Sequence, residues 1–180
     1  RQREDKKEIL RQMEQADHIL TRDNRNAHIT VSAWIMDRDR KKVLMAYHNL
    51  YQSWAWLGGH ADGDADLKAV ALKEIREESG LESVRFVTED IFSLEILTVD
   101  GHEKRGSYVP SHLHLNVTYL LEADPELPLR IKEDENSEIG WIGVEEIQRR
   151  STEKWFVERI YSKLCKKAQS LRNGKLAILE

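Results

Sequence analysis

Gly58-Gly59-His60-Ala61-Asp62-Gly63-Asp64-Ala65-Asp66-Leu67, running on to Lys73-Glu74-Ile75-Arg76-Glu77-Glu78-Ser79-Gly80-Leu81, reads as a helix with its start and its end written into it. Asp64 is a good N-cap, because its side chain can accept a hydrogen bond from an unpaired amide two or three residues on. Asp66 in the first turn suits the positive end of the helix dipole. Gly80 followed by Leu81 reads as a left-handed stop with an apolar clasp. The spacing therefore predicts a helix over 65–79. Glu74, Glu77 and Glu78 stand at i, i+3 and i+4, so their carboxylates share one face. They sit in the last turn or so, where the dipole disfavours negative charge. At about 100° per residue, Glu74 and Glu78 project close to Leu67, at the edge of the stripe holding Ala71 and Ile75. Carboxylates clustered there call for a counter-charge, and a hard divalent cation with oxygen ligands supplies it. The plainer alternative is a solvated acidic helix end partnered by Lys73 and Arg76.

Outward from this helix, the patterns alternate between strand and helix. Ile29, Val31, Ala33 and Ile35 alternate with Thr30, Ser32, Trp34 and Met36, as a half-buried strand should. A charged turn over 37–42 leads to a second strand over 43–48, and the two are expected to form a hairpin. A short strand over 54–57 runs into Gly58-Gly59. Further strands are expected near 84–87, 92–99, 113–121 and 138–142, with a loop over 124–136. A short helix over 144–150 and a long one over 154–171 close the chain, with Trp155, Phe156, Ile160 and Leu164 as packing residues. Near the start, Ile9, Met13, Ala16 and Leu20 recur at helical spacing and predict an amphipathic helix over about 4–20. The expected class is α/β (α+β): a mixed β-sheet sandwiched between helices, with an extra N-terminal helix. Residues 1–26 form that helix and a connection, and residues 27–175 form one domain.

Composition narrows the function. With 40% hydrophobic and 33% charged residues, the 180-residue chain is long enough for one core and is neither disordered nor membrane-like. No apolar run approaches the roughly 18 residues a spanning helix needs. The opening RQREDKKEIL carries no apolar signal core, so a cytoplasmic location is expected, and the missing initiator Met suggests a trimmed or a processed end. A single cysteine, Cys165, excludes an internal disulfide and a cysteine-based zinc site. A net charge of −4 with scattered Lys and Arg argues against a nucleic-acid polymer as partner, and nothing points to a membrane. The N-terminal amphipathic helix is a candidate surface for a homodimer.

The segment over residues 59–81 resembles the Nudix box, in which a glycine and a glutamate at fixed spacing precede Arg-Glu-aliphatic-any-Glu-Glu-any-Gly-aliphatic. Gly59 takes the opening glycine, and Glu74, Ile75, Glu77, Glu78, Gly80 and Leu81 fill the later slots. Ala65 stands where the box has its first glutamate, and Lys73 where it has arginine. Lysine keeps the charge but loses the planar fork. The resemblance implies a Nudix fold and a Mg²⁺-dependent hydrolase, with Mn²⁺ as the alternative ion. Its substrate would be a small-molecule nucleoside diphosphate linked to another moiety, cleaved at the diphosphate bond. By slot, it implies Glu78 as the foremost metal ligand, with Glu77 and Glu74 sharing the metal shell or activating water and Lys73 orienting them. A carbonyl of Gly58 or Gly59 would complete the shell. A further acid outside the box is implied, and Glu138 and Glu135 are the candidates, Glu138 as a metal ligand.

Other residues attract notice by pattern. His112, His114, Asn116 and Thr118 share one face of a strand, and Leu113, Leu115 and Val117 the other. His112 and His114, with His60 in the box loop, are candidates to hold a metal or grip phosphate, and the plainer reading is a solvent-facing strand surface. Lys104 and Arg105 lie in a charged loop and are candidate phosphate contacts. Trp34, Trp54, Trp56, Tyr47 and Tyr51 are candidates for stacking on a base, with core packing the commoner fate. Two other functions compete: a non-catalytic nucleotide-binding or regulatory module of the same fold, suggested by Ala65 and Lys73, and an isomerase branch that would need Cys165 as a reactive thiol.

Overall fold

The structure, a computed structural model, describes residues 2–104 and 106–172. In chain order the first elements are helix α1 (Gln2–Gln15) and strands β1 (Ala27–Met36), β2 (Lys42–His48), β3 (Ser53–Ala55) and β4 (Leu57–His60). Helix α2 (Leu67–Ser79) follows, then β5 (Arg85–Phe86), β6 (Ser93–Val99), β7 (His102–Lys104), β8 (Ser107–Val109), β9 (His112–Glu122) and β10 (Asn136–Gly143). A 3₁₀ turn (Val144–Glu146) enters α3 (Ile147–Arg150). The last helical run is α4 (Lys154–Phe156), a π-helical segment (Val157–Tyr161) and α5 (Ser162–Arg172). An eight-stranded sheet has the order β10-β2-β1-β9-β5, with β3 on β2, β4 on β1 and β6 on β9, while β7 and β8 form a separate hairpin. The mixed α and β class and the N-terminal helix are as the sequence implies. Among the described residues no helix is long and apolar enough to cross a membrane.

Several boundaries differ from expectation for local reasons. Helix α1 stops at Gln15, and His18 takes a positive φ of 57°, which no helix continues through. Met13, placed in the apolar stripe, is exposed. Helix α2 begins at Leu67 because Asp66, not Asp64, caps it. The Asp66 carboxylate accepts from the Ala69 amide at 3.1 Å, while Asp64 accepts from the amide of Asp66 at 2.9 Å in the turn before. Strand β1 is buried along its whole length instead of on one face. Part of the stretch read as a charged loop is the β7–β8 hairpin, turned at Gly106 with a φ of 76°. Trp155 is exposed, unlike Ile160 and Leu164 farther along the closing helical run. Arg105 and residues 173–175, the end of the expected domain, lie outside the described residues.

The chain divides into two compact units. The first takes the described residues of Arg1–Ser32, Gly58–Lys73 and Asp90–Tyr119. There α1 packs on β6, and Ile9, Ile19, Ala27, Ile29, Ala61 and Leu115 form an apolar cluster flanked by Leu94 and Ile96. The opposite face of these strands is polar and still buried. Thr30 and Ser32 each donate to Asn116 Oδ1 at 3.0 Å, and Asn116 Nδ2 donates to Glu95 at 3.2 Å. This is why the Thr30 and Ser32 face of β1 is not exposed: both hydroxyls have a partner inside. The second unit takes the described residues of Ala33–Leu57, Glu74–Glu89 and Leu120–Glu180. There β2 lies between antiparallel β10 and β3, and Trp34, fully buried, stacks on Tyr161 with ring centroids 5.2 Å apart.

Candidate functional site

Within the second unit, the C-terminal half of α2 carries its acids inward. Ile75 is fully buried, and one turn of helix geometry places Glu74 and Glu78 beside it, at 9% and 5% exposed. Glu77 turns outward, its side chain 43% exposed. The helix ends as its residues dictate: Ser79 donates back to the Ile75 carbonyl at 2.5 Å, and Gly80 takes a φ of 71°. A side chain at Gly80 would meet Arg130 Nε at 2.7 Å, so glycine serves both the turn and the close packing.

Two residues from the β10 side reach these acids. Asn136 Nδ2 donates to Glu78 Oε2 at 3.1 Å, while the buried Oδ1 of Asn136 has no protein partner. Lys132 Nζ lies 3.1 Å from Glu135 and 3.9 Å from Glu77. Burial works to lower the pKa of Lys132, but its bond to Glu135 and the charges of Glu135, Glu74 and Asp134 outweigh that and raise it. It is a firm cation beside the acids. Sequence reasoning missed Asn136 and Lys132, because nothing local marks a residue that meets a helix 58 positions away.

The other expected site residues fall as follows. Lys73 is exposed, and Glu138 is exposed on β10, in register with Tyr47. Within the first unit, Gly58 lies against β1 so closely that a Cβ there would stand 2.2 Å from the Val31 carbonyl oxygen. Only glycine allows that approach. His60, His112 and His114 come together, and His28, which sequence reasoning did not single out, joins them. Among the described residues, the trio whose possible metal-binding atoms all lie within 4.8 Å of one another is His28, His60 and His114. The face carrying Asn116 and Thr118 is buried, so the solvent-facing reading of that strand is overturned.

Several of the remaining candidates are packed, whereas Tyr51 is exposed. Trp34, Trp56, Phe156 and Tyr161 surround one another in edge and stacked contacts, as core residues do. Cys165 is buried, and that burial pushes its thiol up to about 12, so it is no nucleophile at neutral pH. A cleft of about 360 Å³ lies along α3 and α5, lined by Ile147, Val157, Cys165 and Gln169, and contains none of the α2 acids.

The family model of the NUDIX domain matches residues 26–164. The chain belongs to the Nudix family. As a Nudix protein it is an enzyme, a pyrophosphatase-type hydrolase of phosphorus-containing acid anhydrides, with small nucleotide derivatives as its class of substrate. No curated protein sequence matches the chain. Solved structures share the Nudix fold. An Ap4A hydrolase from C. elegans in a binary complex aligns with a TM-score of 0.58 at 17% identity, covering 81% of this chain and 98% of that one. A NUDIX-family hydrolase from Clostridium perfringens gives 0.53 at 19%, covering 81% and 99%. The E. coli dihydroneopterin triphosphate pyrophosphohydrolase gives 0.54 at 13%, covering 75% and 95%.

Proposed function

We propose that the chain hydrolyses, with Mg²⁺, the diphosphate bond of a nucleoside diphosphate linked to another moiety. The observation that carries this reading is Glu78: a carboxylate only 5% exposed, hydrogen-bonded by Asn136, with an unpartnered amide oxygen on the same Asn136. Carboxylate and amide oxygens are the donors that suit a hard cation, so the residues present fit Mg²⁺, with Mn²⁺ as its substitute. Glu78 and Glu74 would hold it, with Glu77 at the outer edge, and Glu138 as a supplementary ligand. When bound, the ion would neutralise phosphate oxygens and lower the pKa of the attacking water.

The chain's own groups divide the remaining work. Asn136 fixes the orientation of the Glu78 carboxylate through its amide. Lys132 offsets the negative charge of Glu77 and Glu135, and sits where an anionic substrate would gain from it. Lys73, exposed on α2, supplies the charge of the box arginine but not its two-oxygen grip. A cytoplasmic location and a homodimer through α1 belong to the same proposal. A panel of diphosphate compounds, assayed with and without Mg²⁺, tests it. Turnover is expected with the metal alone, and Glu78→Gln should lower it by about 100-fold or more while the melting curve stays that of a folded chain. A folded Gln variant with near wild-type turnover would falsify the role of Glu78. Silence of the wild type across the panel would favour the non-catalytic module.

A further inference from the structure

We propose that His28, His60, His112 and His114 form a second metal site, one that takes a borderline transition-metal ion of the zinc class on imidazole nitrogens. All four lie in the first unit, His28 on β1, His60 at the end of β4 and the other two on β9. Of seven histidines in the chain, four are gathered here. Their ring centroids stand 4.9 Å apart for His28 and His112, 5.0 Å for His60 and His114, and 5.1 Å for His28 and His60. Isolated imidazoles on a surface would not be held in such a knot.

The hydrogen bonds fix which nitrogens face inward. His28 Nδ1 lies 3.0 Å from the Asn24 carbonyl oxygen, and His112 Nδ1 lies 2.9 Å from that of Pro110. A carbonyl only accepts, so both Nδ1 atoms carry the proton and both Nε2 atoms keep a lone pair. Metal-binding histidines are oriented in just this way, the far nitrogen donating to a backbone carbonyl. The His28 Nε2 is buried and has no partner in the protein, on a residue 4% exposed. A buried polar atom left unsatisfied carries a penalty that a bound ion would remove. His112 Nε2 stands 3.2 Å from His114 Nε2, which donates to it and ligates an ion after its proton moves to the other ring nitrogen. A tetrahedral ion with Zn–N bonds of about 2.0–2.1 Å holds its ligand nitrogens about 3.3 Å apart. That pair already has the separation, and side-chain rotation can draw in the rest.

The donor atoms select the ligand class. Neutral imidazoles are metal ligands and poor phosphate grips. A nitrogen donor set suits Zn²⁺, Cu²⁺, Ni²⁺ or Co²⁺ and not Mg²⁺, so this site and the oxygen site on α2 are sorted by chemistry. The inference stands apart from the hydrolase reading.

The test uses the full chain stripped of metal. Titration with Co²⁺ should give the intense visible bands of a four-coordinate nitrogen site, saturating at one ion per chain, and Zn²⁺ should displace it. Glu78→Gln should bind Co²⁺ like the wild type, whereas His60→Asn and His112→Asn, at the less buried positions, should weaken binding roughly tenfold or more. Pulsed electron spin resonance of Cu²⁺ on the unmutated chain should show more than one imidazole nitrogen, whatever the stability of the variants. An oxygen-only Cu²⁺ signal, or Co²⁺ binding lost in Glu78→Gln and kept in the histidine variants, would overturn the site.

Discussion

Glu95 holds together the buried polar layer of β6 and β9, and the cost of removing it follows from what it touches. Its side chain is 4% exposed and accepts from Ser93 Oγ at 2.5 Å, Thr118 Oγ1 at 2.8 Å and Asn116 Nδ2 at 3.2 Å. Hydrogen bonds to a charged group contribute about 1.5–3 kcal/mol each. Against that, Glu95→Ala relieves the desolvation of a buried carboxylate, and the two hydroxyls can turn to other acceptors. Asn116 keeps a contact with Thr118 Oγ1 at 3.1 Å. The balance, with the cavity left behind, is a loss of about 3–5 kcal/mol. At roughly 2–4 °C per kcal/mol for a chain of this size, Tm should fall by about 6–20 °C. Glu95→Gln keeps the volume and an accepting oxygen, and should cost about 1–2 kcal/mol. Calorimetric melts of the three proteins measure this directly. An Ala variant melting within about 2 °C of wild type would refute the idea that this acid organises the layer.

Other outcomes follow from the same geometry. His114 is held at about 2 in the folded chain against an ordinary value near 6.5, so below pH 6.5 the unfolded state takes up a proton that the folded state refuses. Its contribution is complete above that pH and is lost as the pH falls toward 2, at up to about 1.4 kcal/mol per pH unit. Urea midpoints from pH 7 down to 4.5 should fall more steeply for wild type than for His114→Asn, and parallel lines would contradict this. Cys165, buried and pushed up to about 12, should resist an aromatic disulfide reagent in native buffer and react fully in denaturant. Rapid native labelling would restore a reactive-thiol reading.

How much was legible in the sequence depends on whether a signal is local. The Gly80 stop and the inward placing of Glu74 and Glu78 are properties of neighbouring residues and stand as read, whereas Glu77, read onto the same face, turns outward. The two acids before α2 are equally good caps by type, and only the turn between them decides for Asp66. Alternation placed His112, His114, Asn116 and Thr118 on one face, but their burial depends on β1 and β6, strands far away in the chain. His28 was invisible for the same reason: a histidine at a strand start gains meaning only from three others it meets. Asn136 meets Glu78 from 58 positions along the chain, with strands β5 to β9 between them, which no periodicity reports.

The decisive measurement is the affinity of Mn²⁺, with Mg²⁺ as competitor, for the full chain and for Glu78→Gln, followed by the spin resonance of the free ion. Tight binding to the wild type, displaced by Mg²⁺ and weakened at least about tenfold in the Gln variant, is expected if the buried acids of α2 hold a hard cation. Equal affinity in the two proteins, or binding that Mg²⁺ does not displace, would contradict it.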